Sequence, residues 1–203
     1  MDFINLSEAF TLKLMDSVFG KRYNVSFVRS FVQWLINSKY RKYKRLDKFI
    51  SEQVNNPTDR VKSFANNFTG DYDKRIIDIL KFVRGYVTYT TDTEQYGYIE
   101  HWGFADQTLQ SRKGDCDNMN SLIHILGLLS GIPSYLLYSV IGDVDGGGHY
   151  WLVYISPKTG KMYSIDSTYW YDSRDIPNRP ELEPNLYFNM WYIFNNNYIW
   201  RVK

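Results

Sequence analysis

Cysteine is almost missing: the 203 residues contain one, Cys116. A lone thiol excludes an internal disulfide framework, a zinc site built on several cysteines and an iron–sulfur cluster, and it suits a reducing compartment such as the cytoplasm. Proline and glycine are also sparse, at 6 and 13 residues, which excludes a collagen-like fibre or a low-complexity linker. No stretch approaches the roughly 18 consecutive apolar residues of a membrane span. The start, Met1 to Glu8, lacks the basic-then-apolar order of a secretory leader, so neither a span nor a leader is expected. A net charge of only +2 names no class of partner by itself.

What is present describes a soluble globular protein. Hydrophobic residues make up 44% and charged residues 23%, with a mean hydropathy of -0.42, enough for both a sizeable core and a wetted surface. Aromatic residues reach 18%, led by 18 tyrosines, whose rings pack while their hydroxyls find hydrogen bonds. The length fits a single core with one appendage. Charge divides the chain, because residues 1 to 60 hold 11 Lys and Arg against 6 Asp and Glu, and the remainder is net acidic.

Residues 5 to 55 read as helices, on the spacing of Ala9, Leu12, Leu14, Met15, Val18 and Phe19, and again of Phe27, Val28, Phe31, Val32, Trp34, Leu35 and Ile36. Gly20 ends the first of them. Lys39 to Lys48 then packs six positive charges and two tyrosines into ten residues. A solvated helix face accounts for this run, and an acidic partner for segment 39–48 is the alternative; nucleic acid is not expected, because no recognisable binding motif accompanies the charges. Turn-forming residues at Asn56 to Asp59 and Asn66 to Asp71 suggest a boundary, giving a basic helical region over 1–70 and a second unit over 71–203. In the second unit, Asp71 to Asp73 open a helix buried through Ile76, Ile77, Ile79, Leu80, Phe82 and Val83. Strand-type residues follow at Tyr86 to Thr90, then a polar loop with Tyr96, Tyr98, His101 and Trp102 running to Leu109.

Gly114-Asp115-Cys116-Asp117-Asn118 precedes Met119, Leu122, Ile123, Leu126 and Leu129, a helical stripe stopped by Gly131 and Pro133. With Asp115 as N-cap, Cys116 takes the first helical position, where free backbone N–H groups and the positive end of the macrodipole favour a thiolate. Asp115 and Asp117 oppose that charge, so a nucleophilic Cys116 needs a cationic partner. The plainer alternative is a small buried hydrophobe, although polar flanks are poor company for one. His124, further along the same helix, reads as a packing residue.

Gly146 to Gly148 lead to His149, at the mouth of an apolar strand Tyr150 to Ile155, and a turn over Pro157 to Gly160 leads to a second strand, Lys161 to Thr168. With those four residues as the loop, Trp151 opposes Asp166 and His149 opposes Thr168. Asp166 then lies diagonal to His149 on one face, at about 7 Å between Cα atoms, within reach of their side chains. A thiol at a helix start, an imidazole to take its proton and a carboxylate to hold the imidazole form a Cys-His-Asp relay. Near the end, Leu186 to Phe194 and Tyr198 to Val202 read as a hairpin that closes the sheet.

Gly-Asp-Cys-Asp before an apolar helix, Gly-Gly-His-Tyr-Trp-Leu-Val on one strand and Tyr-Ser-Ile-Asp-Ser on the next resemble the transglutaminase-like superfamily of papain-fold cysteine enzymes, over about residues 75 to 175. The resemblance implies an α+β fold: a papain/transglutaminase-like core with the nucleophile helix packed on an antiparallel sheet, preceded by the helical N-terminal region. It implies Cys116 as nucleophile, His149 as general base and then acid, and Asp166 as the orienting carboxylate. Trp102 and Gln107 resemble the segment ahead of the nucleophile in bacterial members. Together with Asp115 and Trp151 they are expected to line the substrate cleft, one side chain joining the Cys116 N–H in an oxyanion hole.

The activity implied is thiol-dependent hydrolysis of an amide or peptide through an acyl-enzyme, on a protein or peptide substrate and without metal or organic cofactor. Two alternatives stay open: transfer of a glutamine acyl group to an amine, and a catalytically weak structural or binding module of a larger assembly such as a virus particle. The lack of a CxxC pair speaks against the zinc-containing deglycosylating branch, and no Glu follows Asp143 and Asp145 at the offset of a calcium loop.

Overall fold

The computed structural model describes residues 6–24, 41–42, 46–144, 147–182 and 190–202. Helix α1 (Glu8–Phe19) starts on Ser7, whose hydroxyl accepts the Phe10 N–H at 3.3 Å, and it buries Thr11, Leu12, Met15 and Phe19 before stopping at Gly20. The chain then leaves helical structure: Arg22–Asn24 form a short strand, β1. The helix expected over Phe27 to Ile36 and the side chains of Lys39 to Lys48 lie outside the described residues, although the backbone of Arg41–Lys42 forms a second strand, β2. Three helices follow, α2 (Leu46–Asn55), α3 (Asp59–Ala65) and α4 (Tyr72–Tyr86). α4 begins where the sequence signals it, with the Asp71 carboxylate accepting the Lys74 N–H at 3.0 Å. Asp73 goes further than a first-turn acid: it is buried and accepts from the hydroxyls of Tyr154 at 2.7 Å and Ser156 at 2.8 Å, which pins the helix to the sheet.

The strand-type residues after α4 form β3 (Thr88–Tyr89), and the stretch read as a polar loop is largely structured, as α5 (Asp92–Tyr96), β4 (Glu100–His101) and α6 (Ala105–Ser111), with β5 (Lys113–Gly114) just beyond it. These pieces are too short to show periodicity, and their signals are caps. Thr91 and Glu94 form a reciprocal box at α5, and Gln107 Oε1 accepts the Phe104 N–H at 2.8 Å to start α6. β3 pairs parallel with β5, placing Tyr89 opposite Gly114, and β2 pairs parallel with β4. Gly114 is needed there for space, since a Cβ on it would lie 2.5 Å from the Asn118 Cβ.

Helix α7 (Cys116–Leu129) is buried all round from Asp117 to Gly127, beyond the single stripe legible in the sequence. Strands cover one side of it, and α2, α3, α4 and α6 cover the others. Gly131, at a φ of 95° that suits glycine, turns the chain off the helix while the Ile132 N–H bonds the Gly127 carbonyl at 3.0 Å.

The sheet is completed by β6 (Leu137–Val144), β7 (Gly147–Ile155), β8 (Met162–Ile165), β9 (Met190–Phe194) and β10 (Tyr198–Arg201). Its order is β1-β10-β9-β6-β7-β8, antiparallel throughout. β6 was not anticipated, yet it sits between β9 and β7 near the middle. Leu152 faces Ile165 and Ile155 faces Met162, the register that the four-residue turn implies. Of the final hairpin, residues 186–189 lie outside the described residues; β9 runs inside the sheet against β6 rather than along its edge. The Trp200 indole donates to Asp16 of α1 at 2.8 Å, and one continuous hydrophobic cluster extends from Leu6 to Trp200. Residues 6–24 therefore pack with the rest. Among the described residues, no helix is long and apolar enough to cross a membrane.

Candidate active site

α7 and the β7–β8 hairpin, which pack against each other, carry the three residues that the sequence named separately. Cys116 is the first residue of α7, after the cap Asp115, and it is partly buried. The backbone N–H of Tyr150 on β7, the residue after His149, lies near enough to the Cys116 sulfur to favour the thiolate. His149 is 3% exposed, and its Nε2 is 2.7 Å from Asp166 Oδ2. Burial pushes the Asp166 carboxyl up, but the His149 hydrogen bond and charge, with the N–H and O–H of Thr168 on Oδ1, hold it below 3.8. An ionised Asp166 only accepts, so Nε2 donates to it, and in a neutral imidazole the lone pair falls on Nδ1. Nδ1 is buried with no hydrogen-bond partner among the described residues. The ring is held between aromatics: Trp151 stacks at 5.5 Å and Tyr169 meets it edge-on at 4.7 Å.

The surroundings of the sulfur favour the thiol over the thiolate. Burial pushes the Cys116 pKa well above its ordinary value, and the charges of Asp115 and Asp117 add to this, against a smaller pull from the Tyr150 N–H. The sequence sets these two carboxylates against the helix end, and in the folded protein burial sides with the carboxylates. Around them lies an acidic group that the sequence reading did not find: Asp92, Asp115 and Asp117 have carboxylate oxygens within 4.8 Å of one another. Burial, then neighbouring carboxylates, raise Asp92 to about 8 and Asp115 to about 7, and raise Asp117 as well. Asp92 Oδ1 and Asp115 Oδ1 are buried without a hydrogen-bond partner among the described residues. Such a group either shares protons or offers oxygen ligands to a hard divalent cation such as calcium.

The other expected cleft residues are placed unevenly. Trp102 lies near, its ring edge-on to Tyr150 at 5.3 Å, but its indole N–H already donates to Glu100 at 2.6 Å. Gln107 is exposed, with its oxygen spent on the Phe104 N–H. Trp151 has no exposed surface and supports the His149 ring from within. Exposed aromatics at the rim come instead from Tyr89, Tyr169 and Trp170. Asn120, buried one turn after Cys116, was also missed, and its only sequence signal is a polar residue inside an apolar stripe.

Residues 58–171, more than half of the chain, match the family model described as the transglutaminase-like superfamily. No curated protein matches the sequence significantly. Among solved structures, EGTA-treated LapG of Legionella pneumophila is similar with a TM-score of 0.47 and 18% identity, over 71% of this chain and 84% of that one. Calcium-bound LapG gives 0.44 and 19%, over 70% and 86%. A protein of Cytophaga hutchinsonii named a "putative cysteine protease" gives 0.43 and 15%, over 73% of this chain and 46% of its own length. By the family match, this chain belongs to the transglutaminase-like superfamily.

Proposed function

We propose that the protein is a thiol-dependent hydrolase of amide bonds in proteins or peptides, with Cys116, His149 and Asp166 as its working residues. The observation that carries this reading is the buried His149–Asp166 pair, which leaves His149 Nδ1 open at the start of the strand whose next N–H lies near the Cys116 sulfur. In the reaction, the thiol proton passes to Nδ1 as sulfur attacks the amide carbonyl carbon. The Cys116 backbone N–H, free at the helix start, receives the negative oxygen. The C–N bond breaks as His149 returns the proton to the leaving amine, and a thioester remains. His149 then takes a proton from water, whose oxygen attacks the thioester and releases the acid and the thiol. The single thiol suits a cytoplasmic protein.

Asp92, Asp115 and Asp117 would hold a divalent cation, which two of their oxygens, unpartnered among the described residues, favour. Such a cation would supply positive charge beside the site. Calcium should then raise the melting temperature, EGTA should reverse it, and Asp92→Asn should abolish the response.

Incubation with a peptide library, followed by mass spectrometry of peptides and intact protein, tests the main reading. Cleavage, and a thioester adduct lost in Cys116→Ala and His149→Ala, is the expected result. Incorporation of a labelled amine without cleavage would move the assignment to glutamine transfer. Absence of both adduct and turnover would sink the enzymatic reading and favour a binding module.

A further inference from the structure

Asn120 stands four residues after Cys116 on α7, with no exposure to solvent. Its carboxamide makes four hydrogen bonds. Nδ2 donates to the Tyr150 carbonyl at 2.7 Å and to Asp166 Oδ1 at 3.3 Å, while Oδ1 accepts the Ser167 N–H and O–H, each at 2.9 Å. This is the full capacity of a primary amide. The orientation is dictated by chemistry, because turning the group over would set oxygen against the Tyr150 carbonyl and the Asp166 carboxylate, and NH2 against the Ser167 N–H.

The partners come from separate parts of the chain: the strand residue next to His149, and Asp166 with its successor after β8. Asp166 Oδ1 is occupied by Asn120 together with Thr168, which leaves Oδ2 for His149. An apolar residue in this position would fill the space but leave the Tyr150 carbonyl and the Ser167 N–H buried and unpaired.

We propose that Asn120 is a positioning residue, clamping the Cys116 helix to both segments that carry His149 and Asp166 and turning the Asp166 carboxylate toward His149. The inference rests on the functional reading above. Asn120 spends its four hydrogen bonds on groups other than the sulfur and the imidazole; it acts through Asp166 and the β7 backbone, so its removal disturbs the alignment of the reacting groups more than the binding of substrate.

The test compares wild type, Asn120→Ala and Ser167→Ala in the full chain. Two readouts are taken: kcat and KM on a peptide that wild type cleaves, and the NMR signal of the His149 Nε2 proton. Asn120→Ala is expected to lower kcat about 100-fold with KM within about threefold, and to lose the slowly exchanging Nε2 proton. Ser167→Ala removes one of the four bonds and should lower kcat by no more than about fivefold. A folded Asn120→Ala protein with wild-type kcat and an unchanged His149 signal overturns the proposal. Should that variant not fold, wild type alone decides: the Asn120 amide protons are expected to exchange at least about 100-fold more slowly than those of exposed Asn56, and equal rates overturn the clamp. Absence of cleavage by wild type overturns the functional reading, and the clamp then stands or falls on the two NMR measurements.

Discussion

Acidification from pH 7.5 to 5 should weaken the fold through His124 by about 2 kcal/mol. This side chain is wholly buried in α7, with Nδ1 2.5 Å from the Ser139 hydroxyl and Nε2 without a partner among the described residues; Ser139 in turn bonds the Tyr150 hydroxyl beside the site. Burial pushes its pKa from 6.5 down to about 3. The unfolded chain therefore takes the proton first, so this contribution is complete above pH 6.5 and is lost as pH falls from 6.5 toward 3. Asp92, at about 8, and Asp115, at about 7, act in the opposite sense, because carboxyls raised in the fold gain protons there and favour it as pH falls. The measurement must then be a difference, from urea unfolding of wild type and His124→Asn at both pH values. The variant keeps a polar atom for Ser139 and does not titrate. It should start less stable, and its stability should change more favourably than that of wild type on acidification by about 2 kcal/mol, or about 1 M in urea midpoint for a slope of about 2 kcal/mol per M. Identical pH dependence in the two proteins would refute the reasoning.

Three further outcomes are expected. Gly114→Ala forces a Cβ against Asn118 at the head of α7, so it should lower stability by about 1–3 kcal/mol and reduce turnover, read by thermal melting and peptide cleavage. Asp166→Asn should leave the fold intact and lower kcat roughly 10²–10⁴-fold, since an amide can present N–H to His149 Nε2 and force the proton onto Nδ1; retained kcat would remove Asp166 from the mechanism. Asp73→Ala strips two buried hydroxyls, Tyr154 and Ser156, of their acceptor and should cost about 3 kcal/mol in urea unfolding, with a loss under about 0.5 kcal/mol counting against the anchor.

The hairpin carrying His149 and Asp166 was legible because a four-residue turn sets register locally, and the start of α7 was legible because Gly114 and Asp115 announce it. β6 was not, since it is buried on almost every residue and shows no alternation to read. β1 escaped notice because its partner is β10, at the other end of the chain. The roles of Asn120 and Asp92 were equally hidden: Asn120 acts on residues 30, 46 and 47 positions away, and Asp92 meets Asp115 and Asp117 only after β3, α5 and β4 have folded back beside α7.

Local signals alone thus determined the order and placement of the thiol, the imidazole and the carboxylate. Whether the thiol is ionised was left to the tertiary structure. A side chain's pKa answers to desolvation and to every charge nearby, and here the enclosing walls and Glu100 come from segments that the residues around Cys116 do not encode.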